Sequence, residues 1–288
     1  MTLGAARLVA DGTGWRIDRM AGPDLAAYVS GRPVVEVAAL LPRLFNLCRS
    51  AQTAAVRVAL GLPLGPDDPA ADLIRDHLAR VFVLLRQAFG LPPLPVPPAS
   101  ATVFGPDGQM PCDLEGLARW MALDCPAAEL ARAVSRDFPV PLGLTPVLPD
   151  ASAQAGAAEN SPALRQQDHP LMRAVERAQG RSPLWRYLGV LVDLQAAMAG
   201  TLPPPRRLPD GTAEVQAARG RYFLRIDQQD GRATHLARVT PTDHQLARGG
   251  ALDHALRGLP AARPDLALRL VALFDPCISV TLAQVHHA

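Results

Sequence analysis

The 288-residue chain has no lysine; all 29 of its basic residues are arginine. They face 27 acidic residues for a formal net charge of +2, and this near balance excludes a dedicated nucleic-acid binder, which carries a basic stripe or tail. Heavy alanine and proline usage accompanies the arginine. That is the signature of a GC-rich genome, so arginine abundance is not read as function. Long apolar runs are also missing. Val81–Leu85 is among the longest and is bounded by Arg80 and Arg86, far short of the roughly 18–20 residues that cross a bilayer. Met1–Arg19 lacks the basic-then-apolar layout of a secretory signal, so the expectation is a cytoplasmic protein without membrane insertion. Cysteine is scarce: Cys48, Cys112, Cys125 and Cys277 include no CxxC pair, which excludes a disulfide framework and a locally encoded four-thiolate zinc or iron–sulfur site. What is present is 49% apolar and 19% charged residues, enough to exclude disorder and fill a sizeable core.

Three stretches punctuate the chain: the proline-rich Leu91–Ser100, the Ala/Ser/Pro/Gln-rich Leu144–Gln167, read as a flexible loop, and Thr201–Thr212. They read as insertions in a single domain spanning residues 1–288. Helical signals lie between them. Asp67 and Asp68 cap a helix entered at Pro69, with Leu73, Leu78, Val81, Leu84, Leu85 and Phe89 on its apolar side and Gly90 as its stop. Asp113–Leu123, Pro126–Asp137, the run opened by Ser182–Pro183 and ended by Gly200, and Pro264–Phe274 are further helices, the last burying Leu266, Leu268 and Leu270. Arg221–Asp227 alternates instead, and Gln229-Asp230-Gly231 turns it into a second strand, Thr234–Val239. The outline is α+β, mainly helical, with one late β-hairpin.

Chemistry concentrates at four places. Cys48 opens a helical run beside Arg49, with Arg43 nearby, and these cations favour a thiolate, the form that binds soft metals. Cys277 follows Asp275-Pro276, where a helix ends and irregular backbone can turn a side chain inward; His286 and His287 beyond it are either a frayed tail or additional ligands. Arg219 enters the hairpin and Pro241-Thr242 leaves it, which places a guanidinium and a hydroxyl close together, suited to a small anionic or cyano acceptor. Cys112 and Cys125 read as structural. Each feature alone also fits a buried cysteine or a solvated surface hairpin.

In this order, the four elements resemble the large subunit of [NiFe] hydrogenases. That family reads R-x-C-G-x-C-x-x-x-H near its N-terminus, E-A-P-R-G entering a hairpin, P-T/S-x-W-N after it, and D-P-C-x-x-C-x-x-H at its end. Here Arg43–Gln52, Gln216–Gly220, Pro241–Gln245 and Asp275–Ala283 occupy those places, and upstream Ser30-Gly31-Arg32-Pro33 also fits. Glu214–His287 matches almost continuously, while the middle is shorter and matches weakly. The resemblance implies a shortened large-subunit-like fold.

The departures remove ligands. Phe45, Asn46 and Gln52 replace the first Cys, the Gly and the His of the opening motif; Val280 replaces the second Cys of the closing one. The closing His position is Ala283 by strict spacing, or His286 if three residues are inserted. Nickel would lose two thiolates, so no nickel is expected. Cys48 matches a thiolate that bridges to the iron, whereas Cys277 matches a terminal nickel ligand. Arg219 and Pro241-Thr242 match residues around the iron's cyanides. A ligand-depleted large-subunit relative of this kind is similar to the HupK/HoxV group of hydrogenase maturation proteins. That resemblance implies a non-catalytic scaffold that transiently holds the Fe(CN)2(CO) unit through Cys48 and Cys277. Its partners would be the maturation factors and the apo large subunit. The alternatives are a metal-free chaperone of hydrogenase subunits and a divergent catalytic subunit.

Overall fold

The computed structural model describes residues 4–12, 14–20, 22–44, 48–65, 68–98 and 101–283. The expectations for Phe45, Asn46, Asp67, His286 and His287 fall outside the described residues.

The chain starts with a hairpin that sequence patterning did not reveal: β1 (Ala5–Asp11) pairs antiparallel with β2 (Gly14–Met20). Helices α1 (Leu25–Val29), α2 (Val34–Leu44) and α3 (Arg49–Ala59) follow. The predicted long helix exists but changes pitch. Capped by Asp68 and entered through Pro69, α4 (Pro69–Ala79) passes into a π-helical segment, Arg80–Leu84, before α5 (Leu85–Ala88). The wider turn rotates the side chains, so Val81 and Leu85 are buried while Leu84 is exposed, against expectation.

Asp113 caps α6 (Leu114–Met121), and Pro126 opens α7 (Pro126–Asp137), as the caps predict. After α8 (Pro162–Arg165) and α9 (Pro170–Gln179) comes α10 (Pro183–Met198), capped by Ser182. Apolar on nearly every side, α10 is the axis of the larger core, where Trp185, Tyr187, Leu188, Leu191 and Leu194 are fully buried.

The strands β3 (Arg206–Arg207), β4 (Ala213–Ala217), β5 (Gly220–Gln229) and β6 (Arg232–Val239) form an antiparallel meander in that order. The predicted hairpin is β5–β6, with Asp227 opposite His235 and a bulge at Asp227/Gln228. Tyr222, Leu224 and Ile226 pack with Val37, Ala55 and Val56 into a second core against α2 and α3. Phe223, on the opposite face, is also buried, under Ala151.

The chain closes with α11 (Pro241–Gln245), α12 (Ala251–Arg257), α13 (Pro264–Phe274) and β7 (Ser279–Leu282). Leu266 and Leu270 of α13 are buried as expected; Leu268 points outward. Strand β7 pairs parallel with β1, so both ends of the described chain share one sheet. Trp15 Nε1 donates to Pro260 O at 2.9 Å and seats this sheet near α12.

The stretch 144–167, expected to be a flexible loop, is instead bound into the fold. Glu159 is fully buried and forms a forked pair with Arg186, Oε1 to Nη1 at 2.9 Å and Oε2 to Nη2 at 2.7 Å. Arg186 Nη2 also donates to Thr145 Oγ1. Buried carboxylates persist only when paired in this way, and this one ties the stretch to α10.

Candidate functional site

Cys48 is the N-cap of α3 and has left-handed backbone, φ 56° and ψ 39°. Among the described residues only Cys48, Asp230 and Asp275 combine a side chain with positive φ. Asp230 belongs to the β5–β6 turn; the other two flank the site. Such backbone costs about 1–3 kcal/mol per residue and persists only when its surroundings impose it.

Asp275 ends α13 in this conformation, and Arg219 chelates it. Arg219 Nε donates to Asp275 O at 2.7 Å, while Arg219 Nη2 lies 2.9 Å from the carboxylate Oδ2. The same guanidinium donates from Nη1 to Cys48 Sγ at 3.5 Å. The thiol of Cys48 in turn faces Asp76 Oδ2 on α4 at 3.8 Å. Arg219 thus joins the N-terminal cysteine to the turn that precedes Cys277.

The turn carrying Arg219 is held from behind. Gly220 has φ 138°, and a Cβ there would lie 2.2 Å from Asn160 Oδ1, so only glycine fits. Asn160 docks on β5 like a strand end, accepting from Arg221 N at 2.6 Å and donating to Arg221 O at 2.9 Å.

On the far side, a capping box fixes the one-turn helix α11: Thr240 Oγ1 accepts from Asp243 N, and Asp243 Oδ2 accepts from Thr240 N. Thr242 is thereby turned onto Cys277. Its hydroxyl accepts from Cys277 N at 2.9 Å and donates to Cys277 Sγ at 3.1 Å. Pro241 is buried at the helix start, where its missing N–H costs nothing.

Arg219 and Thr242 therefore each serve one thiol, Arg219 that of Cys48 and Thr242 that of Cys277. All five residues singled out in the sequence gather here. The environment of Cys48 differs from expectation, however. Arg43 and Arg49 are exposed, and the cation beside the sulfur is Arg219, remote in sequence. Burial pushes the Cys48 thiol up; Arg219 pulls it down, Asp76 opposes that pull, and the net direction is upward. In this state Cys48 favours the thiol over the thiolate. Burial alone would lower the Arg219 guanidinium, but the Asp275 carboxylate holds it above its ordinary range.

Other candidates lie apart. Cys112 is exposed, and Cys125 is the N-cap of α7, packed against the larger core. Gln216 accepts from Arg165 at 2.9 Å, and His244 is held between Asn160 and Gln154 O. Sequence reasoning missed Asp76 as a neighbour of Cys48 and Asp275 as the partner of Arg219, although Asp275 stands two residues before Cys277. Among the described residues no cluster of three or more His, Cys, Asp or Glu side chains forms a metal cage. The arrangement offers two soft sulfur donors, a guanidinium fork and a hydroxyl, which suits a guest that brings ligands of its own. No described helix is long and apolar enough to cross a membrane.

No family model matches the chain. In the solved structures, the fold is similar to the [NiFeSe] hydrogenase G491S variant of Desulfovibrio vulgaris Hildenborough, with TM-score 0.57 and 13% identity over 92% of both chains. The [NiFeSe] hydrogenase of Desulfomicrobium baculatum gives TM-score 0.54 and 11% identity, covering 92% of this chain and 93% of that one. These likenesses establish a hydrogenase large-subunit-like fold. The hydrogenase expression/formation protein HupK of Rhodobacter capsulatus is 41% identical over 281 residues, 92% of this chain and 91% of that protein. The chain thus belongs to the HupK family of hydrogenase expression/formation proteins.

Proposed function

We propose that the protein is a [NiFe] hydrogenase maturation scaffold, acting in the cytoplasm as one shortened large-subunit-like domain. In this reading it transiently holds the Fe(CN)2(CO) unit as cargo between Cys48 and Cys277 and delivers it to the apo large subunit. The observation that carries the reading is the pairing of each thiol with its own polar group: Arg219 Nη1 at 3.5 Å from Cys48 Sγ, and Thr242 Oγ1 at 3.1 Å from Cys277 Sγ. Cyanide nitrogens are hydrogen-bond acceptors, and a guanidinium and a hydroxyl beside the iron's sulfur ligands can receive them. Two thiolates retain a metal less firmly than four, which suits a cargo that must leave. Cys48 is the principal iron ligand and Cys277 the second.

Infrared spectroscopy of protein isolated anaerobically from a hydrogenase-producing host tests this reading. Isolated cyanide and carbonyl stretches are the expected result, with iron and without nickel in metal analysis. Stoichiometric nickel with hydrogen–dye turnover would overturn it in favour of a catalytic subunit. One competing reading is a metal-free chaperone of hydrogenase subunits. That reading predicts no bands even when the maturation machinery is coexpressed.

A further inference from the structure

Asp193 lies within α10 with no exposed surface, and a carboxylate there requires compensation. Arg165 supplies most of it, donating from Nε to Asp193 Oδ1 at 2.7 Å and from Nη2 to Oδ2. Gln166 Nε2 donates to Oδ1 at 2.8 Å, and His77 Nε2 lies 2.8 Å from Oδ2. An ionised carboxylate only accepts, so Nε2 carries the proton of His77, while its buried Nδ1 has no partner among the described residues.

Two arms run from this carboxylate to the two sides of Cys48. Through Arg165, whose Nη1 and Nη2 each donate to Ala217 O at 3.2 Å and whose Nη1 reaches Gln216 Oε1 at 2.9 Å, Asp193 fixes the end of β4, two residues before Arg219. Through His77 it fixes α4 at the residue next to Asp76, the acceptor facing the Cys48 thiol. The charge is anchored on α10, which is buried in the larger core, and both arms end next to the polar neighbours of one sulfur.

We propose that Asp193 is a positioning residue for the site, holding Arg219 and Asp76 at Cys48 through Arg165 and His77 without touching either thiol. The proposal rests on the reading of Cys48 and Arg219 as the functional site. Its test is therefore made on the metal-free full-length chain, where it can succeed even if iron binding fails.

Two variants separate positioning from fold maintenance. Asp193→Asn removes the charge at constant volume. Arg165→Lys keeps a cation for Asp193 but has no planar fork to span Asp193 and Ala217 O together. The readouts are water exchange of the Arg219 Nε proton, assigned with Arg219→Lys, and the alkylation rate of Cys48 with exposed Cys112 as internal reference. The expected result is a folded Arg165→Lys protein in which Arg219 Nε exchange and the Cys48:Cys112 alkylation ratio each rise at least tenfold; a folded Asp193→Asn protein behaves alike. A folded Arg165→Lys protein with both readouts within twofold of the parent would overturn the proposal. So would loss of folding in Arg165→Lys, which assigns the cluster to fold maintenance alone.

Discussion

The Arg219 guanidinium lies 3.5 Å from Cys48 Sγ while its other nitrogens hold the backbone and carboxylate of Asp275. This contact and burial act on the sulfur in opposite directions. Burial outweighs the pull of Arg219, so the Cys48 thiol titrates above its ordinary range. A group whose folded pKa is raised contributes stability below its unfolded pKa and loses it as pH rises through the folded value. Melting temperature should therefore fall as pH climbs through and above the ordinary thiol range, and Cys48→Ser should flatten part of that fall. At neutral pH iodoacetamide should modify Cys48 at least tenfold more slowly than exposed Cys112. Equal rates, or an unchanged alkaline limb in Cys48→Ser, would contradict this assignment.

Thr242 offers a second test. Its hydroxyl bonds both Cys277 N and Cys277 Sγ, and Thr242→Val keeps the shape while leaving that amide without its acceptor. The loss should cost about 1–3 kcal/mol, read as a lower melting temperature together with faster amide exchange at Cys277. Unchanged exchange at Cys277 would show that the hydroxyl does not hold this turn.

At Gly220 the expectation is larger. A Cβ would sit 2.2 Å from Asn160 Oδ1 and 2.9 Å from the Asn160 backbone, at a φ of 138°. Gly220→Ala should destabilise by at least about 2 kcal/mol and release the turn bearing Arg219. Gly231 is the control: its φ is 73°, and a Cβ there would meet nothing within 4 Å. There the same change should cost only about 1 kcal/mol. Similar losses at both positions, measured by chemical denaturation, would rule out the steric argument.

The local parts of this structure were readable in the sequence because their causes are local. Asp68, Asp113 and Ser182 cap the helices they announce, and the Gln229-Asp230-Gly231 turn sets the β5–β6 hairpin. What was not readable depends on distant partners. The β1–β2 hairpin lacks clean alternation and is stabilised by Trp15 on Pro260 and by β7. Stretch 144–167 looks like loop because its order comes from the Glu159–Arg186 pair and not from periodicity. At the candidate site, motif order points to residues that the fold brings together, whereas local sequence points to Arg43 and Arg49 as the cations beside Cys48 and the fold places Arg219 there. Arg219 is 171 positions away in the chain, and only folding brings it there.

The infrared spectrum of Cys48→Ser beside that of the parent, both isolated anaerobically from the same hydrogenase-producing host, tests the central claim most directly. Cyanide and carbonyl stretches should be present in the parent and lost or strongly diminished in Cys48→Ser, with Cys112→Ser retaining them. Full bands in Cys48→Ser, or none in the parent with the maturation machinery coexpressed, would contradict an iron unit held at Cys48.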